Sequence, residues 1–150
     1  ANSVIALTSS GEKTTLKFQD GTEVKEGARF KLIPREDSGY AVDVAGGALS
    51  DGTNIQIWHK ISDSYAQQLT AYRAGGPSNS TYSSYTRNYS LAQRFSFVES
   101  DEEGYYYLRS AIGTCMDLNK NGGSSVVDGQ NIQSYECNYT NPQKWALIPG

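Results

Sequence analysis

The chain has 150 residues and a mass of 16.4 kDa, which suits one domain with a core of its own. Its formal net charge is −3 and lysine and arginine do not cluster, which argues against a nucleic-acid or anionic-membrane binder. Apolar runs do not exceed four residues, so the sequence predicts no membrane insertion. With 37% hydrophobic and 19% charged residues, it is also unlike a disordered polymer.

Residues that usually carry catalysis or bind metals are scarce. The chain has one histidine, His59, and two cysteines, whereas a zinc site typically takes four Cys or His ligands. No serine lies in a G-x-S-x-G frame. Eleven tyrosines provide flat apolar faces with a polar end, which suit polar ligands. The composition therefore favours a binding protein with no cofactor and no metal over an enzyme.

Short runs rich in Val, Ile, Tyr and Phe alternate with Gly, Asn, Asp and Ser, and no helical periodicity is sustained over twelve residues. This pattern predicts an all-β barrel or sandwich. Residues 75–84 are predicted to form a loop, and the acidic residues 99–104 a solvated hairpin tip. The predicted strands, in chain order, are residues 3–8, 14–18, 29–33, 40–44, 55–58, 68–73, 94–98, 105–110, 115–118, 132–135 and 144–148.

An internal repeat is the most informative feature of the sequence. Residues 51–58 and 128–135 share the pattern Asp-Gly-x-Asn-Ile-Gln-x-aromatic, and an aspartate between apolar residues precedes each copy, at Asp43 and Asp117. Downstream of each copy lies a Gln-x-apolar element, beginning at Gln67 and Gln143, and a third element of this kind begins at Gln93. Their spacings of 26 and 50 residues predict threefold symmetry with a shortened middle repeat. We expect residues 1–26 to form an N-terminal hairpin extension before a domain spanning 27–150.

These residues resemble the ricin B-type (R-type) lectin family over residues 27–150. The third repeat follows the family pattern most closely, the first follows it without cysteines, and the middle one keeps only Gln93-Arg94-Phe95. The resemblance implies a β-trefoil of three pseudo-repeats with a shortened middle repeat. The third-repeat residues that carry it are Cys115-Met116-Asp117, Asn131 to Asn138, and Gln143-Lys144-Trp145.

The resemblance implies sugar-binding sites in the first and third repeats. A sugar site needs a carboxylate or amide for the hydroxyls and an aromatic face for the ring. The family often has Asn before the Q-x-W glutamine, where this chain has Ala66, Ala92 and Pro142, and the first repeat has Ile61 in place of Asn138. We therefore rank the third site above the first, although His59 and Lys60 could compensate there, and the middle repeat lacks the Asp. The implied sugar-binding residues are Asp117, Gln133, Tyr135 and Asn138 in the third repeat and Asp43, Gln56 and Trp58 in the first.

Other residues of the repeats are expected to support the fold. Asp43 and Asp117 could instead only brace the loops that follow them. The Q-x-W residues expected to lie in the core are Gln67, Gln93, Phe95, Gln143 and Trp145.

The two cysteines lie 22 residues apart and suggest either one covalent staple or two buried thiols. The resemblance implies a Cys115–Cys137 disulfide, and hence a secreted or extracellular protein.

Two further motifs carry little weight. Residues from Asp117 to Asp128 nearly match a calcium-binding EF-hand loop, but the last position is Asp instead of Glu and the flanks are predicted strands. We therefore expect no calcium site. Asn79, Asn88 and Asn138 begin glycosylation sequons, and a glycan on Asn138 would block the third site.

Together these observations predict a non-catalytic lectin or carbohydrate-binding module for glycans or glycoconjugates, with galactose or N-acetylgalactosamine as the default sugar. An appended or partner domain, or a homodimer, would raise avidity. The alternative is a protein-binding β-trefoil, such as a protease inhibitor or toxin subunit, that uses the Tyr-rich loop 72–89. A glycan-cleaving enzyme ranks last, because no carboxylate pair has a spacing that demands catalysis.

Overall fold

The structure is a computed structural model, which describes residues 3–48, 50–70, 83–84, 95–120, 123 and 125–150. These residues form short strands joined by turns, with three one-turn 3-10 helices at Ala45–Gly47, Tyr65–Gln67 and Asn141–Gln143. The strands are β1 (Ile5–Leu7), β2 (Lys13–Thr15), β3 (Arg29–Pro34), β4 (Tyr40–Val44), β5 (Thr53–His59), β6 (Leu69–Thr70), β7 (Ser83–Ser84), β8 (Phe95–Glu99), β9 (Tyr106–Ser110), β10 (Thr114–Leu118), β11 (Ile132–Glu136) and β12 (Trp145–Pro149).

Antiparallel pairing dominates the sheets, although β1 and β8 pair in parallel. One sheet runs in the order β2-β1-β8-β9-β12-β3-β6, and β10 joins it by pairing with both β9 and β11. A second, smaller sheet has the order β4-β5-β7. The hairpins β4–β5 and β10–β11 occupy corresponding places in the first and third repeats, and each carries one copy of the repeated sequence pattern. The fold thus presents the two candidate sites on equivalent hairpins.

Each predicted strand overlaps an observed one, but the loop prediction for residues 75–84 is wrong at its end. Ser83 and Ser84 form β7, which pairs with Asn54 and Thr53 of β5. Serine has little intrinsic preference for strands, so the pairing reflects the neighbouring hairpin and not the local sequence. The remainder of that predicted loop lies outside the described residues.

The core lies where the strands of the first and third repeats meet. Trp145 is fully buried and its indole Nε1 donates to the Met116 carbonyl at 3.1 Å. The N-terminal strands contribute to this same core, since Leu16 and Val24 are fully buried in it. The backbone N–H of Gln19 also donates to the Leu147 carbonyl at 2.8 Å. No helix within the described residues is long and apolar enough to span a bilayer.

The acidic turn at residues 99–104 forms the tip of the β8–β9 hairpin, where the Asp101 side chain is 78% exposed, and ion pairs also tie it to the rest of the fold. The Lys144 ammonium, on a side chain only 6% exposed, lies 2.8 Å from an Asp101 oxygen and 3.1 Å from a Glu102 oxygen. Arg35 also contacts Glu102, at 3.0 Å. Hydrogen bonds from Lys144 hold the pKa of both carboxyl groups below their ordinary values. The turn is therefore tied by charge to the Q-x-W segment of the third repeat.

Candidate functional site

The third-repeat hairpin β10–β11 places an acid, an amide and an aromatic ring on one face. Asp117 pairs directly with Gln133, and Cys115 pairs with Tyr135. Because alternate residues of a strand share a face, Asp117, Gln133 and Tyr135 project to the same side of the hairpin. Tyr135 is 51% exposed, whereas Asp117 is 6% exposed. The ring is thus open to solvent, whereas the acid on the same face is nearly buried.

Two glutamine amides hold the Asp117 carboxylate. Gln133 Nε2 donates to one oxygen at 3.3 Å, and Gln143 Nε2 donates to the other at 2.9 Å. A carboxylate oxygen has two acceptor positions, so among the described residues each oxygen keeps one further position. Two hydroxyls on adjacent carbons could donate to those positions. The amides also fix the orientation of the acid before any ligand arrives.

Gln143 connects this acid to the loop between β11 and β12. Its side chain is fully buried, and its Nε2 also donates to the Glu136 carbonyl at 2.9 Å. Its Oε1 accepts hydrogen bonds from the backbone N–H groups of Asn138 at 3.0 Å and Tyr139 at 3.1 Å. The glutamine therefore lies in the core and also positions Asp117.

The first repeat has the same arrangement on β4–β5. Asp43 pairs with Gln56 and is 6% exposed. Gln56 Nε2 donates to one Asp43 oxygen at 3.3 Å, and Gln67 Nε2 donates to the other at 3.2 Å. Gln67 is fully buried, donates to the His59 carbonyl at 2.9 Å, and accepts from the Ile61 N–H at 2.9 Å. The acid and its two amides are thus duplicated as a unit.

The aromatic residue of the first site is more enclosed than that of the third. Trp58 pairs with Ala41, which puts it on the Asp43 face, but its side chain is only partly exposed. A Cβ built on Gly129 would lie 3.9 Å from Trp58 Cζ3, so the turn of the third repeat borders the tryptophan. The His59 ring lies 5.7 Å from the Trp58 ring.

That border between repeats is held by hydrogen bonds. Asp128 accepts from the His59 backbone N–H at 2.6 Å, and its other oxygen lies 2.8 Å from His59 Nδ1. Gly129 donates to the Ile57 carbonyl at 2.9 Å. Desolvation raises the pKa of Asp128, but the bonds from the side chain and backbone of His59 outweigh it, so this pKa lies below its ordinary value. The wall of the first site therefore comes from the third repeat.

The remaining candidate residue, Asn138, lies at the exposed edge of the third site. Its Oδ1 accepts hydrogen bonds from the Thr140 hydroxyl at 2.6 Å and the Thr140 N–H at 3.2 Å. The carbonyl end of the amide is thereby used within the turn. Tyr139, which the sequence analysis did not single out, lies beside it and is 53% exposed.

The other predicted residues are placed as follows. The predicted disulfide joins Cys115 and Cys137 at 2.03 Å. Phe95 packs, partly buried, against the core, whereas Gln93 lies outside the described residues. The same is true of Asn79, Asn88 and all of the Tyr-rich loop 72–89 except Ser83 and Ser84, so the structure does not bear on that surface.

No group of three or more Asp, Glu, His and Cys side chains in the described part of the chain is arranged to hold a metal ion. The acids at the two ends of the EF-hand-like segment have separate partners. Asp117 is bonded to glutamine amides, and Asp128 is bonded to His59 across the repeat border.

The sequence analysis missed the contact between each Q-x-W glutamine and its aspartate. Gln67 follows Asp43 by 24 residues and Gln143 follows Asp117 by 26. This recurrent spacing is visible in the sequence, but its meaning depends on loops whose geometry a linear pattern does not give.

Comparison with known proteins identifies the fold. The chain superposes on ThreeFoil, a designed threefold-symmetric protein, with a TM-score of 0.69 and 22% identity, over 81% of this chain and 99% of that one. It superposes on 1,3Gal43A, an exo-β-1,3-galactanase from Clostridium thermocellum, with a TM-score of 0.70 and 19% identity, over 97% of this chain but 37% of the enzyme. The C-half of the earthworm R-type lectin, solved in complex with GalNAc, gives a TM-score of 0.59 and 12% identity, over 82% of this chain and 99% of that one. The protein is an all-β β-trefoil, as predicted.

A family model described as a ricin-type beta-trefoil lectin domain-like domain matches residues 91–150. No curated protein matches the chain by sequence. The predicted resemblance to ricin B-type lectins is therefore confirmed by sequence over residues 91–150, and the β-trefoil fold is shared over most of the chain.

Proposed function

We propose that this protein is a non-catalytic carbohydrate-binding module that recognises galactose- or N-acetylgalactosamine-type glycans. It does so through the Asp117–Gln133–Tyr135 face of the third repeat, with a second site at Asp43 in the first. Carbohydrate binding in general is supported by the lectin-like family match. The choice of sugar is supported by a neighbour of the same fold, the earthworm lectin, which was solved in complex with GalNAc.

The proposal rests on the aspartate that occurs at the equivalent place in the first and third repeats, Asp43 and Asp117. In each repeat an almost buried carboxylate receives one amide hydrogen bond on each oxygen and shares a hairpin face with an aromatic residue. Bracing a loop does not require an aromatic ring on the same face, and in the third repeat that ring, Tyr135, is 51% exposed. With an acceptor position left on each oxygen, the acid can receive two sugar hydroxyls while Tyr135 stacks on the C–H face of the ring.

The disulfide supports the proposal that the protein is secreted, since such bonds persist in oxidising compartments. The galactanase match supports attachment to a further domain, because the chain corresponds to 37% of that enzyme. Single sites this shallow bind weakly, so two sites on one chain, an appended domain or a homodimer would gain from avidity.

A glycan array on the wild-type chain, followed by calorimetry on variants, tests the proposal. We expect Tyr135→Ala to weaken binding at the third site by roughly tenfold or more, since a lost aromatic contact removes about 1 kcal/mol beyond its buried area. Asp117→Asn should abolish that site, and Trp58→Ala together with Tyr135→Ala should remove all binding.

Ile5→Ala is the matched control, because Ile5 is an exposed apolar residue of β1, remote in sequence from both hairpins. Melting temperatures separate lost binding from lost folding. If the folded wild-type chain binds no glycan, or if the Tyr135 and Asp117 variants bind as it does, the proposal is wrong.

A further inference from the structure

Tyr139 is an exposed aromatic residue connected to the acid of the third site. Its backbone N–H donates to Gln143 Oε1 at 3.1 Å, and Gln143 Nε2 donates to Asp117 at 2.9 Å. Only the Gln143 amide therefore separates the Tyr139 backbone from the Asp117 carboxylate. Tyr139 follows Tyr135 by four residues, and both rings are about half exposed, at 53% and 51%.

The backbone of Tyr139 is in the left-handed region, with a φ of 59°. This conformation is unfavourable for a bulky side chain and is better tolerated by Gly, Asn and Asp. The first repeat has a left-handed residue in the corresponding loop before its Q-x-W glutamine, Asp63 with a φ of 62°. The third repeat thus has a large aromatic residue where the fold favours a small polar one. Strain of this kind that persists at a site suggests a functional reason.

The ring of Tyr139 packs against a buried aromatic ring. The buried ring of Tyr107 meets it edge-on, with a centroid distance of 5.1 Å and an interplanar angle of 71°. The Tyr107 hydroxyl lies 3.3 Å from the Tyr139 carbonyl and 3.4 Å from an Asp101 oxygen. Contacts to both the ring and the backbone limit the orientations of Tyr139. An exposed ring that is held in place binds a ligand face at a lower entropic cost than a mobile one.

We propose that Tyr139 is a second aromatic platform, which stacks on the sugar residue adjoining the one held at Asp117 and Tyr135. The third repeat is then a site for an oligosaccharide and not only for a terminal sugar. This inference rests on the proposed function and extends it. It applies to the third repeat alone, because the first repeat has Asp63 at the equivalent place.

The test uses the full chain carrying Trp58→Ala, so that the third repeat supplies the binding, made in a host that does not glycosylate Asn138. Calorimetry compares methyl β-galactoside with a β-1,3-linked galactotriose. We expect the trisaccharide to bind more tightly, and Tyr139→Asn to weaken it by roughly 3- to 10-fold, as expected for the loss of one aromatic contact. The affinity for the monosaccharide should stay within twofold, and Tyr139→Phe should keep the preference for the trisaccharide.

Tyr65→Asn is the matched control, because Tyr65 is an exposed tyrosine before the Q-x-W glutamine of the first repeat. Equal trisaccharide affinity in Tyr139→Asn and its parent would overturn the inference while leaving the proposed function intact. A parent that binds the two ligands equally would overturn it as well. If the parent binds neither ligand and Tyr135→Ala changes nothing on the array, the proposed function fails and the inference fails with it.

Discussion

Replacing Gln143 with methionine should destabilise the protein and disable the third site together. Methionine has nearly the volume of glutamine, so the change removes hydrogen bonds without opening a cavity. Four bonds are lost: those to Asp117 at 2.9 Å and Glu136 at 2.9 Å, and those from Asn138 at 3.0 Å and Tyr139 at 3.1 Å. The backbone groups of residues 136, 138 and 139 belong to exposed residues and can turn to water, whereas Asp117 is 6% exposed.

The loss of one hydrogen bond to a nearly buried carboxylate costs about 1.5–3 kcal/mol. With a few tenths from each exposed group, the total is about 3 kcal/mol, which for a chain of this size lowers the melting temperature by roughly 6–12 °C. Sugar affinity at the third site should fall as well, since Asp117 is no longer held on both oxygens.

Gln67→Met is the matched variant in the first repeat. Gln67 makes three such bonds, and its bond to Asp43 is longer at 3.2 Å. Gln67→Met should therefore lower the free energy of unfolding by less than Gln143→Met does, by about 2 kcal/mol. Thermal denaturation followed by circular dichroism measures both, and calorimetry with a glycan measures binding. A change under about 0.5 kcal/mol in Gln143→Met, with binding intact, would refute the claim that this glutamine positions the acid.

Three other predictions concern the disulfide, the border between repeats and the charged turn. Reduction of the Cys115–Cys137 bond, which closes a loop of 22 residues, should lower the free energy of unfolding by about 3 kcal/mol. An unchanged denaturation midpoint in the reduced protein would contradict this. Gly129→Ala should lower the free energy of unfolding by about 1 kcal/mol, because the φ of Gly129 is 84°. Binding at the first site should be retained, since the added Cβ makes ordinary contacts at 3.9 Å, and a loss of that binding would contradict the prediction. Glu102→Gln should lower the melting temperature more at pH 7 than in acid, because Lys144 depresses the pKa of Glu102. The stabilisation is then present above the ordinary pKa and is lost as the pH falls through the depressed one, so an equal shift at neutral and acid pH would refute this prediction.

The sequence predicts much of this fold because its repeats carry their own local signals. Segments 40–44 and 55–58 are rich in strand-forming residues, and the strands β4 and β5 form there as predicted. The strand Ser83–Ser84 has no such signal, because its pairing with Thr53 and Asn54 is a tertiary contact. Local propensity therefore accounts for the hairpins but not for every pairing between repeats.

The candidate site likewise has some features that the sequence predicts and others that it does not. The positions of Asp117 and Tyr135 on one hairpin face follow from strand periodicity and could be predicted. The Gln143 amide reaches Asp117 from 26 residues away, and the turn at Gly129 borders Trp58 from another repeat. These contacts depend on how the loops close, which periodicity does not specify. Likewise, Lys144 pairs with Asp101 and Glu102 only because the fold brings the start of β12 beside their turn.

The border between the first and third repeats has a consequence for engineering and for divergence. Asp128 and Gly129 belong to one repeat but enclose Trp58 and His59 of another. A repeat excised or transplanted singly would consequently carry an unfinished binding surface. Exchanging the third repeat for that of another β-trefoil should therefore change the surroundings of Trp58 and His59 in the first repeat, even though the first repeat itself is unaltered.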